Sequence, residues 1–388
     1  MIINYLEKPV LNKSKKINMH GFYTLILLAV ANNALADVSL DNIELPPGFE
    51  IKVFADDVEN ARQMVRGDKG TLFVGSRSAG KVYAVVDMDN DHIADKVYTV
   101  DTGLKLPSGV AFKDGDLYVG AINQILRYDD IEENLNDMPE PVVVRDDLPS
   151  EEHHGWKFIR FGPDGDLYVP VGAPCNVCDE EGFAVIKKMK ADGTDEQDIA
   201  HGVRNTVGFD WDPVSGDLWF TDNGRDWLGD DEPPCELNHV SEFGQHFGFP
   251  YCHGDTISDP EFGDGKSCAD YRAPAQNLGA HVAPLGMAFY TGNQFPTQYH
   301  NQVFIPEHGS WNRSSKVGYQ ITVVSLDAER KAVNYAPFAT GWLQGEDNWG
   351  RPAALLVEAD GSMLVADDQA GVIYRISYNA SNVAVTAP

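Results

Sequence analysis

The sequence predicts an all-β chain folded as a six-bladed β-propeller, and three observations predict it. A turn-then-strand phrase recurs six times: residues 67–75 (GDKGTLFVG), 113–120 (KDGDLYVG), 163–170 (PDGDLYVP), 215–222 (SGDLWFTD), 300–307 (HNQVFIPE) and 359–367 (ADGSMLVAD). A unit repeated at roughly 45 to 85 residues cannot bury its own apolar face, so it must stack on its neighbours. Short β-rich runs flank each phrase, separated by Gly, Pro and Asp, while amphipathic helices of about 12 residues or more are hard to find beyond the leader.

Each phrase sits within a blade. Strands are expected before it at 109–112, 158–161, 208–211, 286–290 and 354–358, and after it at 81–86, 124–128, 183–189, 319–326 and 372–378. Glycine at the turn supplies the positive φ of a tight hairpin, and the apolar-aromatic run behind it suits a buried strand. The last blade shows three strands before the polar tail 379–388. Its outer strand is expected at 49–55, directly after Leu45-Pro46-Pro47-Gly48, so that the ring closes by pairing early and late segments. Residues 37–378 then form a single domain. A chain of 388 residues is long for one domain, but repeat stacking permits it. A long β-sandwich is the runner-up, and the regular repeat argues against it.

The first 36 residues read as an export signal. Lys13, Lys15 and Lys16 precede the apolar run 22–31, and Ala34-Leu35-Ala36 offers the small residues of a cleavage site, with Met19 a second candidate start. A run this short does not span a bilayer. The mature chain is therefore expected in a periplasmic or secreted, oxidising compartment, without stable membrane insertion. Five cysteines fit that address: Cys252 with Cys268, and Cys175 with Cys178, are candidate disulfides that leave Cys235 odd. The CxxC is followed by Asp179 rather than the His of covalent haem attachment, and no second pair stands at zinc spacing.

Fifty-nine acidic against 30 basic side chains give a net charge of −29, which repels phosphate backbones and excludes nucleic acid as a partner class. The same charge favours divalent cations. Asp87, Asp89, Asp91 and Asp95, with the Ile93 carbonyl between, keep the rhythm of a calcium loop, although His92 replaces its glycine and no twelfth-position glutamate follows. A solvated acidic hairpin is the alternative.

In a propeller, the loop leading into the innermost strand and the loop leaving the second strand open on one face around the channel. The first set carries Arg62, Ser108, His153-His154, Arg204-Asn205, His281 and Arg351. The second is long in three blades: 172–182, 221–236 with DNGRDW, and 306–318 with EHGSWNR. Arginines and histidines converging on the pore mouth of an acidic protein call for an anionic, planar, polar ligand, since Arg pairs bidentately with carboxylates and stacks on rings. A histidine among them can serve as a base near neutral pH.

HHGWKFIRFGPDGDLYV (153–169), HGVRNTVGFDW (201–211), DNGRDW (222–227), HVAPLGMAFY (281–290), HGSWNR (308–313) and NWGRPAALL (348–356) together resemble the soluble quinoprotein sugar dehydrogenases, in particular the L-sorbosone dehydrogenase-like branch. The resemblance implies a propeller holding pyrroloquinoline quinone (PQQ) and Ca2+ at the channel mouth. It implies His154 as the base, Arg204 and Asn205 near quinone and calcium, and the backbone carbonyls of Gly224 and Arg225 as calcium ligands. It implies His281 in contact with the cofactor, and Arg351 and Arg313 on cofactor carboxylates. Two positions depart from the glucose dehydrogenases. Ala173 stands where their His-orienting aspartate aligns, and Trp349 where the second arginine of an RxR pair aligns.

The resulting expectation is a calcium- and PQQ-dependent dehydrogenase of an aldose or sugar aldehyde, passing electrons to an unidentified acceptor. Two rivals are a metal-dependent lactonase, which needs Glu, Asn and Asp ligands in the pore, and a non-enzymatic binding propeller, which needs no His-Arg-Asn core.

Overall fold

The computed structural model describes residues 38–383, which leaves the predicted signal peptide and the last residues of the tail outside the described residues. Among the described residues, six sheets, each with four antiparallel strands, form the blades, and no α-helix occurs. Blade 1 is Ala61–Arg66, Leu72–Ser76, Lys81–Val86 and Lys96–Thr102, and blade 2 is Gly109–Lys113, Asp116–Gly120, Ile125–Tyr128 and Val142–Arg145. Blade 3 comprises Arg160–Phe161, Leu167–Val171, Val185–Met189 and Gln197–His201. Blade 4 comprises Phe209–Trp211, Leu218–Asp222, Pro234–Val240 and Gln276–Ala280. Blade 5 is Ala288–Phe289, Val303–Glu307, Gln320–Leu326 and Ala332–Ala339. Blade 6 is Pro352–Val357, Met363–Asp367 and Val372–Tyr378, completed by Phe49–Ala55.

The fold is the predicted six-bladed propeller, and the expected closure lies where the sequence places it. Phe49–Ala55 runs antiparallel to Val372–Tyr378, with Phe49 opposite Tyr378 and Val53 opposite Tyr374. The Phe49 ring meets four others, those of Phe295, Tyr299, Phe338 and Tyr378, at centroid distances of 4.7, 5.6, 5.0 and 4.9 Å. Phe49→Ala is expected to lower unfolding stability by about 3 kcal/mol in chemical denaturation, because it opens a cavity where blades 5 and 6 meet.

Two inner strands are shorter than predicted, and the cause is crowding at the axis. In blade 3 the backbone of Ile159 is taken by a side chain of blade 1: Gln63 Nε2 donates to Ile159 O (2.6 Å), while Ile159 N donates to Gln63 Oε1 (3.0 Å). In blade 5, Gly286 N donates to Ala353 O (2.9 Å) and Phe289 N to Asp210 Oδ2 (2.9 Å), so bonds between blades replace ladder bonds. A Cβ at Gly208 would stand 2.3 Å from Leu285 O, which only glycine avoids. The fifth repeat phrase has no turn glycine, and Asn301 takes the left-handed conformation instead (φ +59°).

One segment departs from the repeat. Between Val240 and Gln276 the chain sends Gln245–His246 to pair in parallel with Gln197–His201 of blade 3, then forms the small hairpin Cys252–His253/Ile257–Ser258. Disulfides join Cys252 to Cys268 and Cys175 to Cys178, and Cys235 is a free, buried thiol. Among the described residues no helix is long and apolar enough to cross a membrane.

Candidate functional site

Buried carboxylates at the ends of second strands set the loops that carry the arginines. Asp222 ends the second strand of blade 4; its Oδ2 accepts from Arg204 N (2.8 Å) and its Oδ1 from Asn205 N (2.6 Å). Asp367 does the same in blade 6, accepting from the amides of Arg351 (2.9 Å), Gln369 (3.0 Å) and Ala370 (2.9 Å). Burial pushes both carboxyls up to about 6, and the amide bonds oppose that rise. In blade 5 the equivalent Glu307 turns into its own blade, accepting from Gln320, Thr322 and Tyr335.

These loops surround a cavity of about 250 Å³ whose wall includes Arg62, Arg77, His154, Arg204, Asn205, Gly224, His281, His308, Trp311 and Arg351. Arg62 lies at the irregular start of its strand rather than in a loop, and pairs with Asp368 (Nη2–Oδ2, 2.6 Å). The other oxygen of Asp368 holds His308 Nε2 (2.7 Å). Burial alone would raise Asp368; Arg62 and His308 instead hold it well below the usual carboxylate range. Burial also lowers His308 to about 4, so it is neutral at physiological pH. Arg77 stacks on Trp156 (4.3 Å), and Arg351 donates to the carbonyls of His308 (2.9 Å) and Gly309 (2.8 Å). Neither Arg77 nor Arg351 reaches a carboxylate among the described residues. The Nε atoms of Arg62 and Arg77 are buried without a partner there. Of these three guanidinium groups only Arg62 has a carboxylate partner, and burial, reinforced by mutual repulsion with Arg62, lowers the pKa of Arg77. Such a wall suits an anionic ligand.

His154 faces this cavity while His153 is solvent-exposed. The two residues lie in a turn, with His154 left-handed (φ +52°) and the two rings 4.1 Å apart. His154 Nδ1 is 2.9 Å from the carbonyl oxygen of Ala173, which only an N–H can satisfy, so Nε2 carries the lone pair. The residue that aligns with the missing orienting aspartate thus orients the ring through its backbone. Burial first, then the charges of Arg204 and His153, hold the His154 pKa well below 6.5. Its Nε2 is a free base throughout the neutral range.

Arg204 is largely committed to the protein. Its Nε donates to Asn176 O (2.8 Å), Nη1 to Asn223 O (3.1 Å), and Nη2 to Asn176 Oδ1 (2.9 Å) and Asp226 Oδ2 (3.3 Å). Asn176 lies inside the Cys175–Cys178 clasp, which therefore helps to hold one wall of the cavity. Asn205 lines the cavity with its backbone fixed by Asp222. Gly224 lines it too, whereas the Arg225 guanidinium turns away to Asp259 (2.5 Å) and Glu261 (2.9 Å). His281 lines it in a left-handed conformation (φ +63°), its Nε2 2.8 Å from Gly229 O. Arg313 does not join the cavity wall: its guanidinium meets the Asp231 carboxylate (3.0 Å) and the Asp230 backbone carbonyl. In the outer hairpin of blade 1, Asp87, Asp89 and Asp95 bring carboxylate oxygens within 4.8 Å of one another. Asp91 stands outside that trio, its carboxylate accepting instead from Ile93 N (2.8 Å).

Arg77, Asp368, His308 and Asn176 escaped the sequence reading. Arg77 and Asp368 lie in loops that looked too short to matter, directly after a second strand. The visible signal was the acid closing the phrases SGDLWFTD and ADGSMLVAD.

The family described as a domain of unknown function, DUF7133, matches residues 36–378. The chain belongs to that family. An uncharacterized protein of Borreliella burgdorferi is 35% identical to it over 370 residues, covering 92% of this chain and 96% of that one. A pyrroloquinoline quinone-dependent pyranose dehydrogenase of Coprinopsis cinerea is 30% identical over 135 residues, which span 30% of this chain and only 18% of that protein. Among solved structures, the calcium structure of a Trichoderma reesei carbohydrate-active enzyme of family AA12 superposes with a TM-score of 0.76 at 20% identity, covering 87% of this chain and 97% of that one. The holo form of the pyranose dehydrogenase PQQ domain from Coprinopsis cinerea superposes at 0.73 and 17% identity, covering 86% and 97%. At these identities the structural likeness establishes the propeller architecture that this DUF7133 member shares with them.

Proposed function

We propose that this protein is an exported, calcium- and PQQ-dependent dehydrogenase that oxidises an aldose or a sorbosone-like sugar aldehyde. The observation that carries the reading is the pairing of two things in one cavity. One is a guanidinium-rich wall with unpartnered Nε atoms, and the other is a buried histidine whose Nε2 is free as a base. A planar polycarboxylate fits that wall: Arg62, Arg77 and Arg351 would hold its carboxylates, with His281 and Asn205 at its edge. The carbonyls of Gly224 and Arg225 would ligate Ca2+ beside it. When bound, PQQ supplies the two-electron acceptor. The chain's own work is to orient the sugar and to take the proton of its C1 hydroxyl, or of the hydrated aldehyde, on His154 Nε2. The Nδ1–H to Ala173 carbonyl bond keeps that nitrogen aimed and unprotonated. Arg204, with one Nη1 N–H left over, would stabilise charge developing near the acceptor. The similarity to a quinone-dependent pyranose dehydrogenase supports this reading, and the two disulfides agree with an oxidising compartment. A lactonase would need acidic ligands free in the pore, whereas Asp222, Asp226 and Asp368 are here engaged by backbone amides, Arg204, Arg62 and His308.

The deciding experiment is a panel of sugars and sugar aldehydes with an artificial dye acceptor, with and without PQQ and Ca2+. Quinone-dependent dye reduction is expected, and failure with every sugar in reconstituted protein refutes the reading. Chelation should release quinone and activity together, with calcium restoring both. Activity that outlasts prolonged chelation with quinone still bound would contradict calcium at the Gly224 and Arg225 carbonyls. Metal in the Asp87, Asp89 and Asp95 trio should change the thermal midpoint but not turnover, since it belongs to an outer hairpin.

A further inference from the structure

At the mouth of the cavity, two tryptophans stand in solvent and touch each other. Trp227 and Trp311 are 67% and 66% exposed, with centroids 5.3 Å apart and planes at 85°. They come from different blades, on the loops after the second strands of blades 4 and 5, and those loops are laced together beside them. Asn312 Nδ2 donates to Asp226 Oδ1 (2.6 Å), Ser314 N to Asp230 Oδ1 (3.0 Å), and Arg313 pairs with Asp231 (3.0 Å). Asp226 is held in turn by Arg204 and by Asn176, which accepts from its amide (2.8 Å). The corner between the indoles is therefore built in advance. Trp227 also sits at φ +71°, a conformation that a bulky aromatic residue adopts only under constraint from its surroundings. The fold thus retains an indole in solvent, at a strained position where glycine would be at ease.

Two indoles present at most about 500 Å² of ring surface, a scale suited to one or two sugar rings. The patch is small, rigid, L-shaped and rimmed by Asp226, Asn312 and Arg313. A pyranose ring matches it, offering an apolar C–H face to an indole and hydroxyls to a polar rim. Trp311 lines the same cavity as His154, so a ring over this corner lies outside the reacting one. Resting on the sugar-dehydrogenase reading above, we propose that Trp227 and Trp311 form a stacking subsite for the second ring of an oligosaccharide with a free reducing end.

Trp227→Gly tests this without endangering the fold, since glycine relieves the positive φ, and its thermal midpoint should hold or rise. The preference for a trisaccharide over its monosaccharide, as a ratio of kcat/KM, should fall about tenfold, the size of one aromatic stacking contact. An unchanged ratio overturns the subsite. Maltotriitol and cellotriitol, whose reduced ends cannot be oxidised at C1 as a hemiacetal, separate the two hypotheses. The indole N–H resonances of Trp227 and Trp311 should shift with one or both at millimolar concentration, and not with sorbitol; which alditol acts reports the linkage. Shifts absent with both, or equal with sorbitol, overturn the proposal. Alditol-dependent shifts in a protein that reduces no dye would retain the subsite and refute the dehydrogenase.

Discussion

Replacing His154 with alanine is expected to slow reduction of bound quinone by sugar ~10²–10⁴-fold, the usual cost of a lost general base. Quinone affinity should change little, because the guanidinium wall is built by other blades. His153→Ala should have a far smaller effect, since that ring stands in solvent and only leans on its neighbour at 4.1 Å. Single-turnover stopped-flow of the holoprotein reads this directly; equal slowing by both changes, or slowing by His153→Ala alone, assigns the base wrongly. The pH profile adds an independent sign. The active form is the unprotonated imidazole, and burial lowers its pKa well below 6.5. The acid limb of kcat/KM should therefore fall below pH 6.5, leaving the rate flat through neutrality.

The second large effect concerns charge. Arg77→Gln should weaken quinone binding by roughly 10- to 100-fold, the equivalent of losing a charge-assisted hydrogen bond. Arg77 suits the test because it forms no ion pair, and its contact with Trp156 survives a shortened polar side chain in part. Arg313→Gln should leave quinone affinity within a factor of about three, because an exposed pairing contributes little. Equilibrium titration of the apo protein with PQQ, followed by absorbance, compares the two. The reverse order would restore Arg313 to the cofactor and remove Arg77.

Much of the ring was legible because its signal is periodic. Each phrase combines a left-handed turn with a run of consecutively buried residues, and every copy found became the second strand of a blade. Phe49–Ala55 was legible for a related reason: three strands in the last blade leave an unpaired edge that some other segment must cover. The excursion between Val240 and Gln276 was not, since its two-residue strands follow disulfide and turn geometry rather than an apolar rhythm. The site was half legible. His154, Arg204, Asn205, His281 and Arg351 stand at one loop position in successive blades, which topology gathers. The loop after each second strand contributes by what it meets across the channel. Asp368 matters because Arg62 and His308 arrive from blades 1 and 5, a coincidence of three dimensions that no spacing encodes. Arg313 illustrates the converse, a charge with the right motif around it and a nearer acid in Asp231.

The way blade 6 is assembled governs the order in which the molecule can become itself. Its outer strand is made among the first, at residues 49–55, and its partner, at residues 372–378, among the last. Until that partner exists, the early strand is an unsatisfied ribbon and Met363–Asp367 has a bare edge, although the inner strands of blade 6 can already pack against blades 1 and 5. Such edges recruit other chains. A protein chain halted shortly before residue 372 would thus hold nearly all its native contacts and still be adhesive. Pairing of the early strand with the late one covers both exposed edges at a stroke.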